Sequence, residues 1–169
     1  MRDGTAVPVE LTTPRLLLPL LDAAAAAALV SGGRLSRWAA DFPREGDVDV
    51  ATVLARNGVP AGPDAVFGPR LVVERSTGEA IGTAGFFGPP RDGLVEIGYG
   101  IVPSRRRRGY AAEAVRALLG LAAAQPGVTE VVAHAEADNV ASIRVLEKSG
   151  LTYQGHEGAL VRYAAPLLG

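Results

Sequence analysis

The sequence predicts a mixed α+β chain, layered in the α/β manner, with helices lying on the faces of its sheet. Three observations carry that prediction. Alternating apolar runs of strand length are interleaved with longer segments whose apolar residues recur at helical spacing. Their order is one strand, two or three helices, three strands joined by turn-like connections, then helix, strand, helix and a strand pair, which packs as helices on a sheet. Finally, 169 residues with 48% hydrophobic and 21% charged content suit one domain with its own core.

Taken in order, residues 1–10 mix Gly, Pro and charge without periodicity and read as a loose leader to a single domain spanning 11–169. Arg15 to Leu20 reads as a first strand, ending near Pro19. Asp22 is placed to cap an alanine-rich helix running to Val30 and closed by Gly32-Gly33. A second helical piece is expected over Leu35 to Ala40 around Trp38. A turn-rich loop follows over Asp41 to Asp47, then a helix from about Val48 to Asn57. Strands are expected at Gly68 to Glu74, Ala80 to Phe87 and Leu94 to Val102, the first two joined by a hairpin turn at Ser76-Thr77-Gly78-Glu79. Val115, Leu118, Leu119 and Ala122 share one face of a helix over Gly109 to Gln125, which Pro126-Gly127 stops. A strand over Val128 to Ala137, a short helix capped by Asn139 and ended at Gly150, and strands at Leu151 to Gly155 and Ala159 to Ala165 complete the chain.

The chemistry is concentrated where the third of the middle strands empties into a helix through Pro103-Ser104-Arg105-Arg106-Arg107-Arg108-Gly109-Tyr110. A turn that delivers free backbone amides into a helix N-terminus attracts anions, and arginines beside it pair with phosphate in forked geometry. The stretch therefore reads as a pyrophosphate cradle. By itself the arginine run is equally a solvated turn or a basic nucleic-acid patch. The net charge of −1 argues against a nucleic-acid partner. With no cysteine in the chain, disulfides, thiolate nucleophiles and cysteine zinc sites are excluded. The two histidines, His134 and His156, read as structural rather than as a metal site. The apolar run from Leu16 to Val30 is broken by Pro19 and Asp22 and falls short of the roughly 20 residues of a membrane span. No membrane partner is expected.

With these residues in place, Arg106-Arg107-Arg108-Gly109-Tyr110-Ala111 resembles the acetyl-CoA loop of the GCN5-related N-acetyltransferase (GNAT) superfamily, with Glu113-Ala114 following as is frequent there. Asn139 to Ser142 with Leu146 to Leu151 resembles that family's later helix, and Thr13-Pro14-Arg15-Leu16-Leu17-Leu18 its first strand. Three motifs in the right order resemble in particular the branch that includes ribosomal-protein N-terminal acetyltransferases. The resemblance implies a mixed, mainly antiparallel central sheet of about six or seven strands with helices on both faces. It implies a cytoplasmic transferase, monomeric or homodimeric, that uses acetyl-CoA and no metal to acetylate a primary amine of a small molecule, peptide or protein N-terminus.

It also implies site residues. The amides of Arg107 to Ala111, with Arg106, would hold the CoA pyrophosphate. A bulge in the preceding strand would expose the backbone of Ile101 and Val102 to the pantetheine arm, and the Val102 amide would serve the oxyanion. Asn139 and Ser142 would face the cofactor. Trp38, Asp41, Phe42 and Tyr99 would bound the acceptor, although Trp38, Phe42 and Tyr99 by themselves read as core before pocket. An amine of ordinary pKa, about 10.4, arrives protonated and needs a base. Glu96, alternating with Val95 and Ile97, is the candidate, the plainer reading being an ion pair on an exposed face. The family's general-acid tyrosine corresponds to Leu146, which supplies no proton; Ser142 or water is the substitute. That departure keeps a noncatalytic acyl-CoA-binding or regulatory module as the alternative. Asn139 and Ser142 read equally as helix-capping residues.

Overall fold

The computed structural model describes residues 10–167, so all but one residue of the expected leader lies outside it. Eight strands form one sheet: β1 (Leu11–Thr12), β2 (Leu16–Leu18), β3 (Pro69–Glu74), β4 (Glu79–Phe86), β5 (Leu94–Ile101), β6 (Glu130–Glu136), β7 (Thr152–Glu157) and β8 (Leu160–Pro166). Their spatial order is β1-β2-β3-β4-β5-β6-β8-β7, and every pairing is antiparallel except β5 with β6. The additional strand is β1, formed because Thr13 and Pro14 turn the chain before Arg15, pairing Leu11 with Leu18 and Thr12 with Leu17.

The four helices are α1 (Ala23–Ser31), α2 (Glu45–Asn57), α3 (Tyr110–Ala123) and α4 (Val140–Lys148). Asp22 caps α1 by accepting from the Ala25 amide, and Gly32 closes it at φ +76°, both as the sequence predicts. The helix expected at Leu35 to Ala40 does not form. Trp38 instead bridges in parallel to Ala80, the Ala39 amide donates to the Ala80 carbonyl, and the Ala80 amide donates to Arg37. A segment of six residues gains too little from helical bonding to compete with main-chain partners at the end of β4. Trp38 is nevertheless buried, edge-to-face with Phe42 at 5.0 Å.

Helix α2 begins three residues before the expected Val48. Asp47 reaches back to accept from the Arg44 amide at 2.8 Å, so the loop folds into a first helical turn. Asp47 is fully buried, pairs with the Arg44 guanidinium at 2.7 Å and accepts from the Thr83 hydroxyl at 2.6 Å. The Asp47→Ala substitution strands both partners and is expected to cost about 3 kcal/mol, roughly 6–12 °C in unfolding temperature. A loss below 1 °C in a thermal melt would remove that role.

The core is built from small and branched residues, among them Leu16, Leu18, Ile81, Val95, Ile97 and Leu118. On β5, Val95, Ile97, Tyr99 and Ile101 share the face covered by α3. Glu96, Gly98 and Gly100 share the opposite face with Thr83, which carries α2. Arg70 is a buried cation the sequence pattern did not reveal. It donates to the Leu18 carbonyl at 2.9 Å, and burial lowers its pKa to about 10. Among the described residues, no helix is long and apolar enough to cross a membrane.

Candidate active site

The arginine-rich turn is held from three directions before it reaches α3. Arg105 is not a free cation: its guanidinium meets Glu74 at 3.2 Å and Glu79 at 2.8 Å. Glu74, nearly fully buried, also accepts from the Tyr110 hydroxyl at 2.7 Å and from Thr77 at 2.8 Å. Burial pushes the Glu74 carboxyl up, but hydrogen bonds from Tyr110, Thr77 and Arg105 hold it below the ordinary range. Arg106 turns back, its Nε donating to the Ile101 carbonyl at 2.9 Å. Arg15 stacks over the Tyr110 ring at 4.4 Å and donates to the Arg108 carbonyl at 2.8 Å. Asp41 braces the approach, accepting from the Ser104 amide and hydroxyl at 2.8 Å each.

These contacts set the backbone. Arg107 at φ +64° and Gly109 at φ +82° are left-handed, while Arg108 between them is not. That alternation gathers successive amides into a concavity suited to an anion. The first helical bond of α3 runs from the Glu113 amide to the Gly109 carbonyl, which leaves the amides of the first turn pointing outward from the helix ladder. Glycine is needed at 109 because a β-carbon in that conformation is strained and would approach Arg15 Nη2 at 3.3 Å.

Glu113 ties this turn to the N-terminal strand, accepting from the Thr13 hydroxyl, the Arg15 amide and Arg15 Nε. Burial pushes its pKa up, yet these bonds more than offset it and hold the carboxyl below its ordinary 4.5. A depressed folded value stabilises above the unfolded pKa and stops doing so as pH falls through the folded one. Glu113→Gln is therefore expected to lower the unfolding temperature at neutral pH, with the gap from wild type closing below about pH 4.5. A gap independent of pH would show that the carboxylate charge is not what holds the strand.

Beside the cradle the sheet forks. The parallel β5–β6 ladder stops at Ile97 and Ala133, while β5 continues to Ile101 against β4 alone. No register shift occurs in the β5 pairings, so the fork comes from the end of the ladder rather than from the expected bulge. The Val102 amide donates to the Ile81 carbonyl at 2.8 Å, which corrects its assignment as an oxyanion donor. Antiparallel alternation turns the outward main-chain groups of Tyr99 and the Ile101 amide toward the fork instead, the Ile101 carbonyl being taken by Arg106.

On the α4 side of the fork, the Tyr99 hydroxyl bonds Ser142 Oγ at 2.8 Å and the Ser142 carbonyl at 3.1 Å. Burial raises the Tyr99 phenol above its ordinary 10.0, its bond with Ser142 offsetting part of the rise. Asn139 caps α4, its side chain accepting from the Ser142 amide at 3.1 Å. Leu146 is fully buried in the core. On the opposite face, Glu96 Oε2 lies 2.9 Å from His134 Nδ1, and His134 Nε2 lies 2.9 Å from Glu157 Oε2. Sequence reading found Glu96 but not these partners, since β6 and β7 are remote in the chain.

The four acceptor-side candidates do not form one wall. Phe42 and Trp38 are core residues, Asp41 reaches from the loop before α2 to brace Ser104 beneath the cradle, and Tyr99 faces α4. Three side chains share the Glu96 face: Arg44 over Gly100 and Phe87 over Gly98, which the sequence did not single out, and His134, which it read as structural. A groove of about 440 Å³ is lined by Thr13, Pro14, Glu113 and Arg116.

Residues 15–152 match the family model described as an acetyltransferase (GNAT) domain. An uncharacterized N-acetyltransferase of Bacillus subtilis, YjdG, is 37% identical over 81 residues, 47% of this chain and 48% of its own. The chain thus spans about half the length of the curated relatives it matches. Among solved structures, a putative ribosomal-protein-serine acetyltransferase from Vibrio cholerae superposes with a TM-score of 0.67 at 22% identity, over 93% of this chain and 97% of its own. RimL, a ribosomal alpha-N-protein acetyltransferase solved in complex with coenzyme A, gives 0.63 at 17% identity, over 94% and 98%. At these identities the likeness is one of fold.

Proposed function

The chain belongs to the GNAT acetyltransferase family, and from that premise we propose that it moves an acetyl group from acetyl-CoA to a primary amine of a small molecule, peptide or protein N-terminus. The observation that carries this reading is continuity: the anion cradle at Arg107 to Ala111 opens directly onto the unpaired side of β5. The glycine-dependent concavity and its outward amides fit a pyrophosphate, and the exposed edge of β5 fits an amide-bearing arm added like a strand. A structural relative of the same fold was solved with coenzyme A.

Acetyl-CoA would supply a thioester-activated acetyl group; the chain's own residues do the rest. Arg106, Arg107, Arg108, Gly109, Tyr110 and Ala111 form the cradle, with Arg106 also locking the Ile101 carbonyl. Glu96 Oε1 or Oε2 accepts the acceptor's ammonium proton, since an amine is nucleophilic only when neutral. On the other side of the fork, the Ser142 hydroxyl, with Tyr99 bonded to it, holds a proton for the departing sulfur, replacing the tyrosine that Leu146 displaces. Burial keeps the Tyr99 phenol protonated through neutral pH.

The test is release of free CoA from acetyl-CoA with a panel of α-amino peptides and diamines. Turnover with any of them supports the enzyme reading. Binding of acetyl-CoA without turnover of any amine would favour the noncatalytic acyl-CoA-binding module.

A further inference from the structure

We propose that the acceptor is an amine that also bears a carboxylate, and that Arg44 holds this carboxylate while the amine lies in the fork beside Glu96. This rests on the acetyl-transfer reading of the site and names the class of amine it takes. Positions 96, 98 and 100 share one face of β5 and follow one another at roughly 7 Å. The first bears the Glu96 carboxylate. The other two are glycines: a β-carbon at Gly98 would fall on the Phe87 ring, and one at Gly100 on the Arg44 guanidinium. The strip thus runs from an anion past an aromatic ring to a cation, along the stretch of β5 that β6 leaves unpaired beyond Ile97.

Arg44 is held without being satisfied. Asp47 Oδ1 accepts from Arg44 Nη2 at 2.7 Å and from the Thr83 hydroxyl at 2.6 Å, and Oδ2 accepts from the Arg44 amide at 2.8 Å. Thr83 is the β4 partner of Gly100, so this brace stands on the side of the guanidinium away from the fork. Only 25% of the Arg44 side chain is exposed. Yet among the described residues Nη2 is the one guanidinium nitrogen with a hydrogen-bond partner, and Nε is buried without any. Unmet N–H donors on a largely buried cation cost free energy that a carboxylate recovers through charge-assisted bonds.

The spacing selects the acceptor. The fork opens at Gly98, one step of roughly 7 Å from Gly100. Four bonds of ordinary length between an amine and a carboxyl carbon span about 5 Å, and a hydrogen bond to Arg44 closes the remainder. The Phe87 ring, 66% exposed, offers the intervening methylenes an apolar surface. A diamine would set its second ammonium against Arg44 and is disfavoured. The acids nearest this end do not reverse that preference, since Asp41 is committed to Ser104 and Asp47 to the brace.

The test uses the full chain with acetyl-CoA and two matched pairs of acceptors. One pair is 4-aminobutanoate against 4-aminobutanamide; the other is a tripeptide amide beginning with glutamate against the same peptide beginning with glutamine. Wild type is expected to favour each acid over its amide by about 10- to 100-fold in kcat/KM, the worth of a hydrogen bond to a charged group. Arg44→Gln is expected to abolish most of that preference, and Arg44→Lys to keep part of it. Because Arg44 also pairs with buried Asp47, Gly100→Ala provides a variant that keeps Arg44 while its added β-carbon displaces the guanidinium. It is expected to weaken the acids more than the amides. Equal kcat/KM for acid and amide in wild type overturns the carboxylate site while acetyl transfer stands. So does a preference that survives in Arg44→Gln, or in Gly100→Ala where Arg44→Gln does not fold. Turnover of 1,4-diaminobutane with neither acid acetylated has the same meaning. If wild type acetylates none of these amines and none of the panel above, the transfer reading falls and the carboxylate class with it.

Discussion

Replacing Glu96 with glutamine is expected to lower kcat by about 100- to 10,000-fold while leaving acetyl-CoA affinity untouched, the range spanned when one general base is removed. Glutamine keeps the size of the side chain and one oxygen facing His134, so the fork and cradle remain as they are. What it removes is the capacity to take a proton. The separation of effects follows from geometry: Glu96 lies on the face of β5 shared with Thr83 and α2, whereas the cradle reaches the fork from the α3 side. Rates measured with saturating amine, alongside thermal melts with and without acetyl-CoA, check both halves. Full kcat in the variant would assign proton removal to water or another group. A lost acetyl-CoA effect would mean that Glu96 supports the fork instead.

Acetyl-CoA at 100 times its Kd is expected to add about 2.7 kcal/mol to the wild-type chain, an upward shift of roughly 5–11 °C, and to add nothing measurable to Gly109→Val. Gly109 sits at φ +82°, where a β-branched residue is strongly disfavoured, and its amide opens the anion concavity. Relaxing that strain rotates the peptide units on either side and scatters amides that act only when they converge. Thermal melts over a ligand series provide the measurement, with circular dichroism to show that Gly109→Val retains its fold and Gly109→Ala as the milder variant. An equal shift in wild type and Gly109→Val would place the nucleotide elsewhere. No shift in wild type at millimolar acetyl-CoA would remove the donor from the proposal.

The contrast between these two residues shows what was legible before folding. Gly109 stood between a strand and a helix whose apolar spacing was unambiguous, and a helix N-terminus attracts anions wherever it occurs. The first helix, with Asp22 at one end and Gly32 at the other, was readable for the same reason: its signals lie within one turn of the residues they govern. Helix α2 was readable except at its start, since a loop rich in Asp and Gly gives no sign that Asp47 will reach back to the Arg44 amide.

What sequence alone determined is local. It specified the helix caps, the strand alternation, the anion-binding turn, and Glu96 on the face opposite Val95 and Ile97. Only the tertiary structure decided which remote groups met. It spent Asp47 on Thr83 and Arg105 on Glu74, turned the Val102 amide into the ladder, moved the fork to the end of a parallel pairing, and set His134 between Glu96 and Glu157. The physical reason is that backbone propensity and periodicity act over a few residues. Pairing of charges and amides depends on strand order, which brings residue 96 beside 134 and 134 beside 157 only once the sheet has closed.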